Sequence, residues 1–417
     1  MKILIVGEGA REQAIAHKLS QSPNVEEVYL CPGNGGTRYL KKCTNLPQMT
    51  QEELLDFSVK TGISYTVVGP EKDLMEGIVD LFQSHQQLII GPHKDAALLE
   101  GSKSFAKDFM KRHHIKTAAY EVFDDFHKAQ EYLETASYPL VIKADGLAQG
   151  KGVEIVLDYE SALTILTEFM VQEKFQAASN TIVVEEYLVG KEASIISLYD
   201  GNHIVPLWST MDHKKIGTGE TGLNTGGMGS ITPNPHYTPF MEEDFNKNIL
   251  LPTRDGLSQD GLTFQGILFF GLMMTEKGVY LLEYNLRFGD PETQSLLQVL
   301  SSDLHDVFLS LLSGKLKDTP LTFQEDGASC VVLSSAGYPL DYKKGIDITD
   351  YFRLCPEDVT LYSYKSRSEK DRVLSDSGRV LSVVASGDKD EATDKIYRFL
   401  EKVRNENLYY RNDIGKI

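Results

Sequence analysis

The chain has 417 residues and a formal net charge of -18, with 41% apolar and 24% charged residues. Its length predicts roughly three domains, and its composition is typical of globular proteins. The negative charge disfavours nucleic acid and anionic membranes as partners, and neither a membrane span nor the apolar core of a signal peptide is evident. Four scattered cysteines show no metal or disulfide spacing, so we expect a cytoplasmic protein with reduced thiols.

Short apolar runs alternate with helical patterns from the start of the chain. The runs at residues 3–6, 28–30, 65–68 and 88–90 predict buried strands. Thr50 and Glu53 have the spacing of a capping box, which predicts a helix over residues 51–60. Together these patterns predict a parallel α/β domain.

Glycine-rich turns follow the first three of these strands. They are Gly7-Glu8-Gly9-Ala10-Arg11-Glu12, Pro32-Gly33-Asn34-Gly35-Gly36-Thr37 and Gly69-Pro70-Glu71. Open α/β sheets bind ligands at the carboxyl ends of their strands, so we expect an anionic substrate such as a phosphorylated sugar here, with Arg11 as a candidate contact. Glu12 stands where a dinucleotide fingerprint has its third glycine, which disfavours such a cofactor.

A second unit begins near Ser102, a candidate N-cap. Strands predicted at residues 140–143 and 152–157 flank a glycine-rich basic turn, Lys143-Ala144-Asp145-Gly146-Leu147-Ala148-Gln149-Gly150-Lys151-Gly152. Its glycines allow backbone amides to close over phosphate oxygens, and its lysines supply positive charge. A solvated hairpin tip is the alternative, but a lysine at the end of a buried strand needs an anionic partner, which favours phosphate.

Further along, a helix near residues 161–170 and a strand at 181–185 complete an insert of about 70 residues. The strand ends in Glu185 and Glu186, with Glu192 close behind, which are candidates for adenine and ribose contacts or merely solvated acids. Asp200-Gly201 predicts a hairpin between residues 194–199 and 203–207. Residues 209–229 show neither helix nor strand pattern, so we interpret them as a binding loop, with a plain linker as the alternative.

A second predicted hairpin joins residues 264–275 to 279–286. Strand alternation places Glu283, Asn285 and Arg287 on one face. Carboxylate and amide oxygens suit Mg²⁺, and an arginine can clamp a phosphoryl group, although a structural ion pair would use the same residues. Asp290-Pro291 predicts the N-cap and first-turn proline of a long helix. The remaining residues predict a small α/β unit with strands at 330–334 and 380–385 and a helix at 391–403, without evident chemistry.

These motifs resemble those of the glycinamide ribonucleotide synthetases, an ATP-grasp family of purine biosynthesis. The resemblance extends from residues 7–12 to 411–415, and its most specific parts are residues 224–229 and 287–292. It implies a mixed α/β and α+β fold: an N-terminal α/β domain at residues 1–100, an ATP-grasp domain at 101–325 with a lid at about 117–190, and a C-terminal domain at 326–417.

The resemblance also implies the roles of individual residues. Around ATP it places Lys103, Lys143, Glu185, Glu186 and Glu192, and the basic turn adds Gly146, Gly150, Lys151 and Gly152. Glu283 and Asn285 would hold Mg²⁺ or Mn²⁺. Around glycine and phosphoribosylamine it places Gly9, Asp212, Asn224, Arg287 and Gly289, with Asp212 and Arg287 catalytic. The motifs themselves add Arg11, Gly33, Glu71, Gly226 and Asp290 as candidate substrate contacts.

Several positions differ from the pattern associated with the family. Glu8, Ala10 and Gln13 depart from Asn-Gly-Gly-Arg-Glu-His. Tyr362-Ser363-Tyr364 stands where His-Ala-Gly is common, and Leu223 and Lys215 replace a usual proline and arginine.

The implied reaction is attack of the glycine carboxylate on the γ-phosphoryl group of ATP, followed by capture of glycyl phosphate by the amine of 5-phosphoribosylamine. Such chemistry needs positioning and charge neutralisation more than a protein nucleophile. The rival interpretations are a carboxylate-amine ligase with other substrates, an NAD-dependent oxidoreductase and a non-catalytic nucleotide sensor. We expect a monomer or a weak homo-oligomer.

Overall fold

A computed structural model of the chain describes residues 1–146 and 152–416. The first unit is a parallel sheet of order β3-β2-β1-β4-β5 with helices on both faces. Its strands are β1 Lys2–Gly7, β2 Glu27–Pro32, β3 Cys43–Asn45, β4 Tyr65–Val68 and β5 Ile89–Ile90. Its helices are α1 Ala10–Ser20, α2 Gln51–Thr61, α3 Glu71–Met75, α4 Ile78–Ser84 and α5 Lys94–Gly101.

The predicted parallel sheet is confirmed, including the capped helix. Thr50 accepts a hydrogen bond from the Glu53 amide, and the Glu53 carboxylate accepts from the Thr50 amide. Along β1, Ile3 and Ile5 pack into one core and Leu4 into another on the opposite face, which explains why the strand is apolar throughout.

The second unit is an antiparallel sheet of order β6-β9-β7-β8, with α7 and α8 packed together on one face. Its elements are α6 Lys103–Arg112, β6 Tyr120–Phe123, α7 Phe126–Thr135, β7 Leu140–Ala144, β8 Val153–Val156, α8 Tyr159–Leu166 and β9 Ile182–Glu186. Ser102 caps α6, as predicted, by accepting a hydrogen bond from the Phe105 amide. Helix α6 packs against β9 of this sheet and also against strand β17 of the next one (Gly278–Asn285), so it joins the two.

The third unit is an antiparallel sheet of order β11-β10-β16-β17, in which both predicted hairpins are confirmed. The strands of residues 191–285 are β10 Lys191–Tyr199, β11 Ile204–Pro206, β12 Met211–Asp212, β13 Lys215–Gly217, β14 Thr221–Asn224, β15 Gly229–Thr232, β16 Gly266–Thr275 and β17 Gly278–Asn285. The helices of this region and the next are α9 Pro239–Phe245, α10 Leu251–Gln259, α11 Glu292–Val299 and α12 Leu304–Leu312.

The last unit is a six-stranded sheet with the order β12-β15-β18-β22-β19 and β23 beside β18. Two of its strands, β12 and β15, come from the middle of the chain. The elements of this last part are β18 Gly327–Ser335, α13 Thr349–Arg353, β19 Thr360–Ser363, β20 Ser366–Glu369, β21 Arg372–Ser375, β22 Arg379–Gly387, α14 Lys389–Lys402 and β23 Leu408–Tyr409. No helix in the described parts of the chain is long and apolar enough to cross a membrane.

Two local predictions were wrong. Residues 209–229 are not without regular structure, because they contain β12, the β13–β14 hairpin and the first residue of β15. These strands are short and mostly polar, so they carry no alternating apolar signal. Asp290 is not an N-cap: α11 begins at Glu292, has Pro291 at the cap position and spans only eight residues. The Asp290 carboxylate is instead bonded to Tyr364 and Gln294.

Candidate functional site

Lys143 ends strand β7 in a buried cluster of charges. Its Nζ lies 2.8 Å from Oε1 of Glu185, and Nζ of Lys107 lies 3.1 Å from Oε2 of the same carboxylate. Burial raises the pKa of Glu185, but the two lysines more than offset this and the net pKa is lowered. The anionic partner that burial of Lys143 requires is therefore Glu185, and burial of this lysine is not by itself evidence for a phosphate.

The described ends of the basic turn are held by the first turn of helix α6. Asp145 accepts hydrogen bonds from the Ser104 amide at 2.6 Å and from the Ser102 hydroxyl at 3.1 Å, and Lys103 Nζ donates to the Gly146 carbonyl at 3.2 Å. The carbonyl of Gly152 accepts from the amide of Ala144. The predicted contacts of Gly150 and Lys151 lie outside the described residues.

Glu283 lies near the end of strand β17. Glu283, Asn285 and Arg287 are half-buried, whereas the alternate residues Tyr284, Leu286 and Phe288 are buried, as strand alternation predicts. Gly271 lies opposite Glu283 on β16, and a Cβ there would be 3.1 Å from Glu283 Cγ, so this glycine leaves room for the carboxylate.

The charges of four cations act on the Glu283 carboxylate. Burial raises its pKa, but Lys214, Lys143, Lys103 and Arg287 together lower it below the usual value. Within the described residues the carboxylate has neither a hydrogen bond nor an ion pair of its own. Lys103 and Lys143 are therefore near enough to act on Glu283, and the described surroundings leave its carboxylate open to a ligand.

The residues fit a divalent cation. Among the described residues, Glu283 offers a free carboxylate, and the Asn285 amide oxygen on the same face accepts only a 3.3 Å hydrogen bond from Arg287. In the part of the chain that the structure describes, no group of three or more His, Cys, Asp or Glu residues could hold a metal. Two protein oxygens with the remainder supplied by water and substrate phosphates is the arrangement that Mg²⁺ favours.

Arg287 connects this face to the first unit. Its Nε lies 3.1 Å from Oε1 of Glu100 and 3.7 Å from Oε2 of Glu71. Glu100, at the end of helix α5, also accepts a hydrogen bond from the Leu286 amide at 2.7 Å. Glu71 was a candidate from its strand-end turn, whereas Glu100 lies inside a helix with no motif around it and was missed.

The turn after β1 is organised around Glu12. Its carboxylate accepts hydrogen bonds from the Gly9 amide at 2.7 Å and from Arg11 Nε at 2.5 Å. A Cβ at Gly69 would lie 1.9 Å from Glu12 Oε1, so the glycine makes room for this side chain. Arg11 is buried and donates its Nη1 to the Phe288 carbonyl, which commits two of its nitrogens to the protein.

The turn after β2 has few free amides. Asn34 accepts from the amides of Gly36 and Thr37, and the Gly35 amide donates to Ser366 of the last unit. Gly33 has a φ of +69°, and a Cβ there would lie 2.1 Å from Asn45 Oδ1. This glycine is explained by close packing, and the geometry gives it no phosphate contact.

Two candidate substrate segments meet where Gly227 packs against Pro291 and Asp212. Gly227 has a φ of +110°, and a Cβ there would lie 2.4 Å from Pro291 Cδ and 2.8 Å from Asp212 Oδ1. Oδ1 of Asp212 is buried and has no hydrogen-bond partner among the described residues. Burial and the nearby charge of Glu292 raise the pKa of Asp212 well above its usual value.

The other candidates are spread around this centre. Gly289 packs against Glu292, since a Cβ there would lie 2.6 Å from its Oε2. Asn224 ends the exposed β14 and faces Lys215 across the hairpin. Glu192 pairs with Lys214, and the Glu186 carboxylate accepts from the Ala119 amide at 2.9 Å, so both acids have protein partners.

The chain is similar to known proteins along nearly its whole length. Family models described as the phosphoribosylglycinamide synthetase N domain, ATP-grasp (A) domain and C domain match residues 1–100, 101–293 and 328–417. A phosphoribosylamine-glycine ligase of Clostridium acetobutylicum is 46% identical over 100% of both chains.

Solved structures show the same similarity in three dimensions. The crystal structure of a phosphoribosylamine-glycine ligase from Thermotoga maritima is 32% identical with a TM-score of 0.87, covering 99% of this chain and 100% of that one. The biotin carboxylase domain of a Hydrogenobacter thermophilus 2-oxoglutarate carboxylase is 15% identical with a TM-score of 0.74, covering 98% and 91%, and shares the fold.

Proposed function

The chain belongs to the phosphoribosylglycinamide synthetase family, and from this premise we propose that it ligates glycine to 5-phosphoribosylamine, with conversion of ATP to ADP and phosphate. The product is glycinamide ribonucleotide, and glycyl phosphate is the intermediate. The observation that carries the proposal is the Glu283 carboxylate, held ionised by Lys103, Lys143, Lys214 and Arg287. Cations around a free carboxylate suit a polyphosphate and its metal ion.

The nucleotide binds between the β6-β9-β7-β8 sheet of the second unit and the β11-β10-β16-β17 sheet of the third. Lys103 and Lys143 neutralise its phosphates, and Glu185, which also pairs with Lys107, holds Lys143 in place. Glu283 and Asn285 hold Mg²⁺ or Mn²⁺, which when bound neutralises charge on the phosphates. The contacts of Gly146, Gly152, Glu186 and Glu192 with the nucleotide, through backbone or side chain, stay predictions.

Arg287 acts where the phosphoryl group leaves ATP. It lies beside Asn285 and is anchored by Glu71 and Glu100, so its guanidinium is held in one orientation. A fixed guanidinium stabilises the negative charge of the transferring phosphoryl group and of glycyl phosphate without having to reorganise. We therefore assign Arg287 a catalytic role.

Asp212 acts where the amine attacks glycyl phosphate. The attacking nitrogen must lose a proton as the amide forms, and the unpartnered Oδ1 of Asp212 is available to accept it. Burial and the charge of Glu292 raise the pKa of Asp212, which makes its carboxylate a stronger base than an ordinary aspartate.

The sugar substrate lies between the first and last units. Gly9, Asp290, Gly289 and Gly226 border that cleft. Arg11 commits Nε and Nη1 to the protein and Gly33 is explained by close packing, so direct contacts of these two residues with the sugar stay predictions. The domain limits 1–100, 101–325 with the lid at about 117–190, and 326–417, the cytoplasmic location and the monomeric or weakly associating state stay predictions.

Replacing Glu283 with alanine tests the proposal. We expect product formation from glycine, ATP and freshly generated phosphoribosylamine to fall about a hundredfold or more, because the free carboxylate on the metal face is lost. The control is Glu276→Ala, which removes an exposed acid in the turn before the same strand. Folding is checked by thermal unfolding.

Each outcome of this experiment leads to a different conclusion. A wild-type protein that releases no glycinamide ribonucleotide would refute the proposed substrates. Unchanged turnover in Glu283→Ala would remove this residue from the metal site. Titration of Mg²⁺ against Mn²⁺ with the wild-type protein decides between the two ions.

A further inference from the structure

Arg379, the first residue of strand β22, joins two separate segments of the cleft. Its Nη1 donates to the Gly226 carbonyl at 2.6 Å and to the Asp290 carbonyl at 2.9 Å. Its Nη2 lies 3.3 Å from Asp290 Oδ2. One guanidinium thus holds the glycine-rich loop at residues 224–229 against the segment at residues 287–292.

The aromatic residues of the last unit complete this connection. The guanidinium carbon of Arg379 lies 4.5 Å from the centre of the Tyr364 ring, and the Tyr364 hydroxyl donates to Asp290 Oδ1 at 3.0 Å. The Tyr338 hydroxyl accepts the Gly226 amide at 3.0 Å. Both polar atoms of Gly226 are therefore hydrogen-bonded to side chains of the last unit, although Gly226 itself is exposed.

The connection reaches the first unit as well. A Cβ at Gly9 would lie 3.9 Å from Asp290 Oδ2, so the turn after β1 borders the same carboxylate. The three segments that line the cleft for the sugar substrate thus meet at Asp290, and Arg379 fixes two of them.

We propose that Arg379 is a positioning residue for the phosphoribosylamine subsite, acting through Gly226 and Asp290. The inference rests on the proposed function and adds a residue and a role that the motifs did not contain. A planar guanidinium can donate to two carbonyls and a carboxylate at once, whereas a lysine ammonium lacks this fixed fork. In the proposed function the nucleotide binds near Glu283, whereas Arg379 contacts Gly226 and Asp290, so we expect nucleotide binding to be independent of Arg379.

The test compares Arg379→Gln and Arg379→Lys with the wild-type protein. We expect Arg379→Gln to raise the KM for phosphoribosylamine at least about tenfold, because charge-assisted hydrogen bonds to both segments are lost. Arg379→Lys should recover part of this loss. The dissociation constant of Mg-ATP and the melting temperature are measured alongside, and Arg372→Gln, an exposed arginine of β21, is the control.

A second variant covers the case in which Arg379→Gln does not fold. Tyr338→Phe removes only the acceptor of the Gly226 amide, and we expect it to raise the same KM about threefold. An unchanged KM for phosphoribosylamine in the folded variants would overturn the inference. So would an equal weakening of Mg-ATP binding, which indicates general damage. Failure of the wild-type protein to use phosphoribosylamine would instead refute the proposed function.

Discussion

Lys107 is a buried single residue that stabilises the charges beside the proposed nucleotide site. Its side chain is 2% exposed, pairs with Glu185 and donates to the Thr117 hydroxyl at 2.7 Å. Burial lowers the pKa of Lys107 to about 8, with the charge of Glu185 acting in the opposite direction. A buried charge in this setting costs free energy unless its partners remain in place.

We predict that Lys107→Met destabilises the protein by about 3 kcal/mol, because it leaves the buried Glu185 with one cation in place of two. Urea unfolding at neutral pH measures the change. Lys111→Met, an exposed lysine on the same helix, should have little effect. Equal stabilities of the two variants would mean that Lys143 alone neutralises Glu185.

The sequence indicated Lys143 but not the arrangement around it. A lysine at the end of an apolar strand is visible as an anomaly, and the need for an anion follows from it. The anion is Glu185 because β7 pairs with β9. Lys107 shares this carboxylate because helix α6 packs against β9. Such contacts between distant parts of a chain leave no local pattern.

At the scale of elements, the β13–β14 hairpin is attached to the end of the chain. Arg411 donates to the Lys215 carbonyl and to the carboxylates of Glu220 and Asp413. The Gly219 amide donates to Asp413, and Nδ1 of His213 hydrogen-bonds Glu220 at 2.8 Å. The hairpin carries Asn224 and is thereby tied to the last unit.

The hairpin attachment should weaken in acid. Burial raises the pKa of Glu220, but hydrogen bonds from His213 and Arg411 lower the net value from 4.5 to about 2. Because the pKa is lower in the folded state, Glu220 stabilises the protein fully above about pH 4.5 and loses this contribution as the pH falls towards about 2. We predict that the stability difference between wild type and Glu220→Gln shrinks over this window.

Urea unfolding at several pH values measures that difference. Glu243→Gln, at an exposed acid on helix α9, is the matched control and should show no such dependence. A difference between wild type and Glu220→Gln that stays constant from pH 5 to about pH 2 would contradict the prediction.

Strands were predicted correctly where the apolar periodicity of the sequence was strong. They were missed where only the pairing with a neighbouring strand defines them. The four apolar runs of the first unit and both long hairpins were predicted from such patterns. Strand β3 and the β13–β14 hairpin have three or four mostly polar residues per strand, so only their neighbours define them. The prediction that Asp290 caps a helix was wrong because its carboxylate accepts a hydrogen bond from Tyr364, which is distant in the sequence.

At the scale of the whole molecule, the first and last units are joined through Asn34. Its Nδ2 donates to the Ser363 carbonyl at 2.8 Å, and its Oδ1 accepts from the Ser363 hydroxyl at 2.8 Å. Gln13 accepts the Ser363 amide at 2.8 Å, and Glu8 pairs with Lys365. Three positions that depart from the family pattern, Glu8, Gln13 and Ser363, thus meet at one junction.

We predict that Asn34→Ala lowers the free energy of unfolding by about 2 kcal/mol, because several buried donors and acceptors lose their partner together. Thermal and urea unfolding provide the measurement. Asn24→Ala, at an exposed asparagine, should be neutral. A neutral Asn34→Ala would show that the junction contributes little to holding the two units together.

The pairing of β15 with β18 has a consequence for shortened forms of the chain. Residues 229–232 of the middle region form backbone hydrogen bonds with residues 328–331. A product that stops before residue 327 would present the bare edge of β15 to solvent, and such an edge recruits strands from other molecules. Premature termination late in translation would therefore produce a self-associating species rather than a merely inactive one. Supplying the missing tail as a separate polypeptide would cover this edge again with β18.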